Sequence, residues 1–215
     1  MGEDVRILAV DVPGPAGVLE GLINTNAMSE PRAIAVLAHP LPTEGGTLHT
    51  KGVFHAAKAL ARIGCPVLRF NFRGVGRSAG TFSGGPGEQD DFRAALQFMM
   101  SRYPHVTRFW AAGMSFGAWV AMSVGADHPG ATALIGIAPA VTHYDFSPVV
   151  KAAKPTFIIH GERDELIPLK DVRKFYGQLS EPKELVVIDA ADHLFDGRVT
   201  EVGEAIEDLL QDFND

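Results

Sequence analysis

Apolar residues run along this chain in two rhythms. Short, nearly unbroken apolar blocks fall at residues 33–38, 67–72, 108–112, 132–138, 156–160 and 185–189. The continuously apolar block at 33–38 is the mark of a strand covered on both faces, and the others, 67–72 with Arg69 and Asn71 among them, read as further strands. Between them the spacing turns helical. Residues 47–63 repeat Val53, Phe54, Ala57, Leu60 and Ala61, and Gly64 closes that helix; residues 91–103 repeat Phe92, Ala95, Leu96 and Met99 behind an acid-rich start. Residues 116–127, 170–179 and 199–213 also read as helices. At the front, residues 5–12 and 18–24 are β-prone and separated by Pro13-Gly14-Pro15-Ala16-Gly17, which predicts an opening hairpin. A glycine-rich loop is expected over residues 73–87. Strands alternating with helices imply an α/β fold: a mostly parallel sheet with helices on both faces and ligands at the carboxyl ends of the strands.

Composition narrows this picture. At 215 residues, with no internal repeat and no low-complexity linker, one domain over residues 1–215 is the expectation. The formal charge of −7 and the lack of a basic cluster beyond Arg69, Arg73 and Arg77 argue against a nucleic-acid partner. No apolar run approaches the roughly 18 residues of a spanning helix, so no membrane partner is expected. The single cysteine, Cys65, excludes an internal disulfide and a thiolate metal cluster. The acidic start Met1-Gly2-Glu3-Asp4-Val5-Arg6 lacks signal-peptide order and fails the myristoylation pattern at Arg6, so a cytoplasmic location is the default. Composition does not address oligomeric state.

The candidate chemistry centres on Gly113-Met114-Ser115-Phe116-Gly117, a serine between two glycines where a predicted strand meets a predicted helix. A nucleophilic serine must stand clear of the strand end on a sharply bent backbone, so its neighbours two residues away cannot be bulky. The bend aims the first helical amide, the Phe116 N–H, at the place where an oxyanion would develop. Alone, the motif fits a turn serine capping a core helix equally well. Its context is a histidine and several carboxylates after later strands: Glu162, Asp164 and Glu165 after residues 156–160, and Asp189, Asp192 and His193 after residues 185–189. Serine, acid, histidine is the chain order of one fold class.

At this point the sequence resembles the α/β-hydrolase superfamily over nearly its whole length. The resemblance rests on the Gly113–Gly117 elbow, the acid loop Gly161-Glu162-Arg163-Asp164 with Ile167-Pro168 behind it, Asp192-His193, and Phe72-Arg73-Gly74-Val75-Gly76-Arg77-Ser78. The loop His39-Pro40-Leu41-Pro42-Thr43-Glu44-Gly45-Gly46 is similar to that of small lidless bacterial esterase-like members. The resemblance implies Ser115 as nucleophile, His193 as general base and Asp164 as the orienting carboxylate. It places the second oxyanion donor in the loop after the third strand, at the Leu41 N–H, with Thr43 the next candidate because Pro40 and Pro42 have no N–H. It implies no cofactor and no cap domain, since only residues 139–155 separate the strands where lids are inserted.

Substrate contacts are expected from His39, Tyr144, Phe146, Leu166 and Leu194, with His143, Phe116 and Phe195 as further wall candidates. His39 and His160, at strand ends, also suit loop-orienting hydrogen bonds. His49, His55, His105, His128 and His143 form no metal-ligand pattern, so no metal is expected. Gly74-Val75-Gly76-Arg77-Ser78-Ala79-Gly80 places its third glycine one residue late for a dinucleotide fingerprint and is read as a turn, with Arg73 binding backbone carbonyls or a carboxylate. The expected activity is hydrolysis of small, uncharged carboxylic esters, the partner being the small-molecule ester itself. Thioesterase, amidase or peptidase activity and a noncatalytic scaffold are the alternatives.

Overall fold

The computed structural model describes residues 5–26 and 30–213. Among these residues eight strands form one sheet: β1 (Val5–Gly14), β2 (Gly17–Asn26), β3 (Ile34–Ala38), β4 (Val67–Phe70), β5 (Phe109–Met114), β6 (Ala131–Ile137), β7 (Thr156–Gly161) and β8 (Lys183–Ile188). Their order is β1-β2-β4-β3-β5-β6-β7-β8. The β1–β2 hairpin and the β2–β4 pairing are antiparallel, and every pairing from β4 onward is parallel.

Among the described residues six α-helices cover the sheet: α1 (Lys51–Arg62), α2 (Pro86–Arg102), α3 (Phe116–Asp127), α4 (Ser147–Ala152), α5 (Leu169–Tyr176) and α6 (Val199–Leu210). Successive side chains of a strand point to opposite faces, so an unbroken apolar strand feeds two cores. In β3, Ile34, Val36 and Ala38 pack with residues of α2 to α5, while Ala35 and Leu37 join α1 and α6 on the other face. The same split runs through β5, with Ala111 on the first side and Trp110 and Ala112 on the second.

Against the sequence reading, α1 starts at Lys51 rather than 47, α5 ends at Tyr176 rather than 179 and α6 at Leu210 rather than 213, and two further elements differ more. Helix α2 starts at Pro86, five residues before Asp91. Pro86 and Gly87 resemble loop residues, but proline suits the first helical turn. Glu88 then takes the Ser83 and Gly85 N–H groups and the Ser83 hydroxyl. Helix α4 lies within residues 139–155, for which the sequence predicts no element; Pro148 in its first turn and its six residues hide the period. Arg73 binds a carboxylate, reaching Asp91 through Nε and Nη2 at 3.0 and 2.7 Å and tying the glycine-rich loop to α2.

The chain leaves β3 for β4 on one side and returns to β5 on the other. The carboxyl ends of β3 and β5 therefore flank the crevice at which open α/β sheets bind ligands.

Candidate active site

Ser115 occupies the one residue between β5 and α3, with φ 55° and ψ −117°. A non-glycine residue held there stores about 1–3 kcal/mol of strain. Its N–H donates to the Ile137 carbonyl at 2.8 Å, fastening the bend to the end of β6. The flanking glycines are required by contact. A Cβ on Gly113 would lie 2.1 Å from the Gly117 carbonyl oxygen, and one on Gly117 would lie 2.4 Å from that of His39.

The turn after β7 holds Asp164. Its Oδ1 accepts the N–H groups of Leu166 and Ile167 at 3.0 and 2.8 Å, leaving Oδ2 for His193 Nδ1 at 2.7 Å. His160 closes the turn from below, its Nε2 donating to the Ile167 carbonyl at 2.8 Å. Burial pushes the Asp164 carboxyl up. The His193 hydrogen bond and the Ile167 N–H outweigh it and hold the group below the usual carboxylate range. The other acids are occupied or exposed. Glu162 caps the Ala190 N–H, Asp192 accepts the N–H groups of Leu194 and Asp196, and Glu165 and Asp189 are exposed.

His193 bridges the two sites. With Nδ1 donating to Asp164, Nε2 is left as an acceptor, 2.9 Å from Ser115 Oγ. Three residues separated by up to 78 positions thus form one hydrogen-bonded line at the carboxyl edge of the sheet, with the spacing needed for proton transfer from serine to imidazole.

A cleft of about 410 Å³ opens over this line. Of the expected contacts, Leu41, Phe116, Tyr144, Leu166 and Leu194 line it, as does His143. Three expected wall residues do not. His39 is fully buried, Phe146 packs against Phe175 beside a separate hollow of about 320 Å³ between α4 and α5, and Phe195 belongs to the core under α1 and α6. Residue type placed these side chains near strand ends but could not say which way they point. Glu44 also lines the cleft and was not singled out from sequence; its place in the His39–Gly46 loop was the available signal.

His39 instead orders that loop. The Phe72 N–H donates to its Nε2 at 3.1 Å, so Nδ1 carries the proton and donates to the Pro40 carbonyl at 2.6 Å. Burial lowers its pKa to about 4, which keeps the ring neutral at physiological pH. In a trans peptide the C=O and N–H point opposite ways, so pinning the Pro40 carbonyl fixes the direction of the Leu41 N–H. Among the described residues no protein acceptor meets the N–H of Leu41 or of Phe116. Thr43 is exposed and lies outside the cleft.

Among the described residues no three His, Cys, Asp or Glu side chains are grouped to hold a metal ion, and no helix is long and apolar enough to cross a membrane. Burial pushes the Cys65 thiol up, away from thiolate chemistry.

A mostly parallel sheet with a serine strained at the β5–α3 bend, facing a histidine and an aspartate from later loops, defines an α/β hydrolase. The comparisons agree. Residues 29–154, more than half of the chain, match the family model described as serine aminopeptidase, S33, and the chain belongs to that family within the α/β-hydrolase superfamily. The matched span includes Ser115 and ends before Asp164 and His193. An uncharacterized protein of Rickettsia prowazekii is 37% identical over 205 residues, covering 92% of this chain and 86% of that one. Among solved structures, an α/β serine hydrolase homologue from Coxiella burnetii has a TM-score of 0.89 at 36% identity, covering 94% of this chain and 97% of its own. A serine hydrolase without lid from Xanthomonas campestris has a TM-score of 0.86 at 35% identity, covering 95% and 94%.

Proposed function

We propose that the protein hydrolyses small carboxylic esters lacking negative charge through an acyl-enzyme on Ser115. The observation that carries this reading is the 2.9 Å contact of Ser115 Oγ with a histidine whose other nitrogen is bonded to Asp164. Ser115 Oγ attacks the ester carbonyl as His193 Nε2 takes its proton. The Phe116 and Leu41 N–H groups bind the oxyanion, and the alcohol departs with the proton returned by His193. Water, deprotonated by His193, then attacks the acyl-serine and releases the acid, restoring the Ser115 hydroxyl. Asp164 stays ionised and holds the imidazole in the working tautomer.

The substrate class is drawn from the cleft. No lysine or arginine lines it, which disfavours carboxylate-bearing acyl groups. Its volume suits a short acyl chain better than a long one. Cys65, buried and alone, fits a cytoplasmic location.

The test is hydrolysis of p-nitrophenyl esters of two to twelve acyl carbons by wild type and Ser115→Ala. The expected result is a rate peaking at short chains and falling by about 10⁴-fold or more in the mutant. Equal rates in the two proteins would sink the reading. A second reading, amide or peptide hydrolysis by the same three residues, takes its support from the family description. Anilides matched to the best esters decide between them: a kcat/KM on anilides equal to that on esters would replace the ester assignment.

A further inference from the structure

Glu44 lies in the cleft with Ser115, yet the acyl-transfer steps make no use of it. It sits in the short 3₁₀ turn Pro42–Glu44 between β3 and α1. Three backbone hydrogen bonds fix that turn: Glu44 N–H and Gly46 N–H to the Leu41 carbonyl, each at 3.1 Å, and Gly45 N–H to the Pro42 carbonyl at 3.2 Å. A Cβ on Gly46 would lie 2.2 Å from the Pro40 oxygen, so the loop is folded tightly back on itself. The turn that carries the Leu41 N–H therefore also sets the position of the Glu44 backbone. At a rise of about 2 Å per residue, the Glu44 backbone stands roughly 6 Å from that of Leu41.

The carboxylate is uncompensated. Glu44 forms no ion pair among the described residues, and Lys51, the nearest lysine or arginine in sequence, is paired with Asp196. Neither lysine nor arginine lines the cleft, and the chain as a whole carries a formal charge of −7. Tyr144 adds an aromatic ring to the same cleft, stacked on Trp119 at 4.6 Å. A carboxylate and an aromatic ring that line one cleft both attract ammonium groups, and the carboxylate repels anions.

We propose that Glu44 selects substrates by charge, favouring esters that carry an ammonium group a few bonds from the scissile carbonyl and excluding those that carry a carboxylate there. This rests on the ester-hydrolase reading and narrows its substrate class, esters lacking negative charge, toward those that carry a positive one. Glu44 takes no part in bond making; it contacts the substrate's remote group and changes which ester reaches Ser115.

The test uses three p-nitrophenyl esters of matched shape: 4-(trimethylammonio)butanoate, its uncharged isostere 5,5-dimethylhexanoate, and the glutarate monoester. The readout is each charged ester's kcat/KM divided by that of the isostere in the same protein, so a general loss of activity cancels. At low ionic strength wild type is expected to give a ratio of about ten or more for the cation and about a tenth or less for the anion. Both ratios are expected to move toward one in Glu44→Gln, to cross over in Glu44→Lys, and to shrink in wild type as salt is raised. Ratios unchanged by Glu44→Gln, with the isostere turned over, would overturn the charge selection and leave the ester reading standing. If no ester is turned over, the ester reading fails instead. The matched N-methyl amides are then titrated against the Ser115→Ala protein by NMR: binding in the order cation, isostere, anion supports Glu44's role, and equal binding overturns it.

Discussion

The inner and outer walls of the cleft are held in different ways. On the inner side every reactive group has its direction set by hydrogen bonds. Asp164 has two backbone donors and a histidine, His193 has a partner on each nitrogen, and the loop bearing Leu41 is pinned through a buried His39. On the outer side Leu166 and Leu194 are 64% and 49% exposed, and Glu44 reaches the cleft from an exposed turn without an ion-pair partner. The inner wall is over-determined by the fold, as pre-organised charge stabilisation requires. The outer wall can change its side chains without disturbing the sheet. On the proposed function, reaction type and substrate choice are lodged in separable parts of one cleft.

The sharpest break of the inner wall, after removal of Ser115 itself, is at Asp164. Asp164→Asn is expected to lower kcat by about 10³- to 10⁴-fold with a much smaller change in KM, because the amide no longer holds the His193 tautomer. Asp192→Asn, at a residue that caps its own turn, is expected to stay within about tenfold of wild type. Steady-state kinetics of the two variants side by side check this, and comparable losses would mean that the acid has been misassigned.

A milder break lies at His39. His39→Gln is expected to reduce kcat by about 10- to 100-fold through a misdirected Leu41 N–H, with KM changed by no more than a few-fold. The same residue makes a stability statement. Its folded pKa, about 4, lies below the unfolded value of 6.5, so the unfolded chain binds the extra proton between those values. Stability is therefore expected to fall as pH drops from 6.5 toward 4, by about 3 kcal/mol from this group. Urea midpoints across that range, flatter in His39→Gln than in wild type, are the check.

The smallest effects belong to the outer wall. Leu166→Ala and Leu194→Ala are expected to shift acyl-chain preference and raise KM by about two- to fivefold with kcat nearly kept, since exposed leucines have little burial to lose. Tyr144→Ala should do somewhat more, because Tyr144 packs on both Trp119 and Phe116. A kcat loss at Leu166 or Leu194 as large as that at His39 would erase the distinction between the walls.

The division also explains what could be read from sequence. The central strands were legible because burial on both faces leaves them few polar residues, Arg69, Thr156 and His160 being the exceptions in β4 and β7. Ser115 was legible because its strained bend requires Gly113 and Gly117, which collide with backbone if given a side chain. Order after β7 and β8 singled out His193 but left Glu162, Asp164, Glu165, Asp189 and Asp192 as acids, and only the resemblance pointed to Asp164. The start of α2 was hidden because Pro86 and Gly87 look like loop until Glu88 is seen to cap it, and α4 because its six residues include a proline. The wall was the least legible part. His39, Phe146 and Phe195 sit in segments that reach the site, but the sequence does not record which way a side chain turns at a strand end. Glu44 carried no signal beyond its loop.

The most direct test of the central claim is to trap the acyl-enzyme. Wild type and Ser115→Ala are mixed with excess p-nitrophenyl ester, quenched in acid within the first turnover, and measured by intact-mass and peptide mass spectrometry. Acyl transfer through Ser115 predicts a burst of about one equivalent of p-nitrophenol, and an added acyl mass confined to the peptide containing Ser115 and missing from the mutant. An acyl group on another residue, or turnover with neither burst nor adduct, would contradict it.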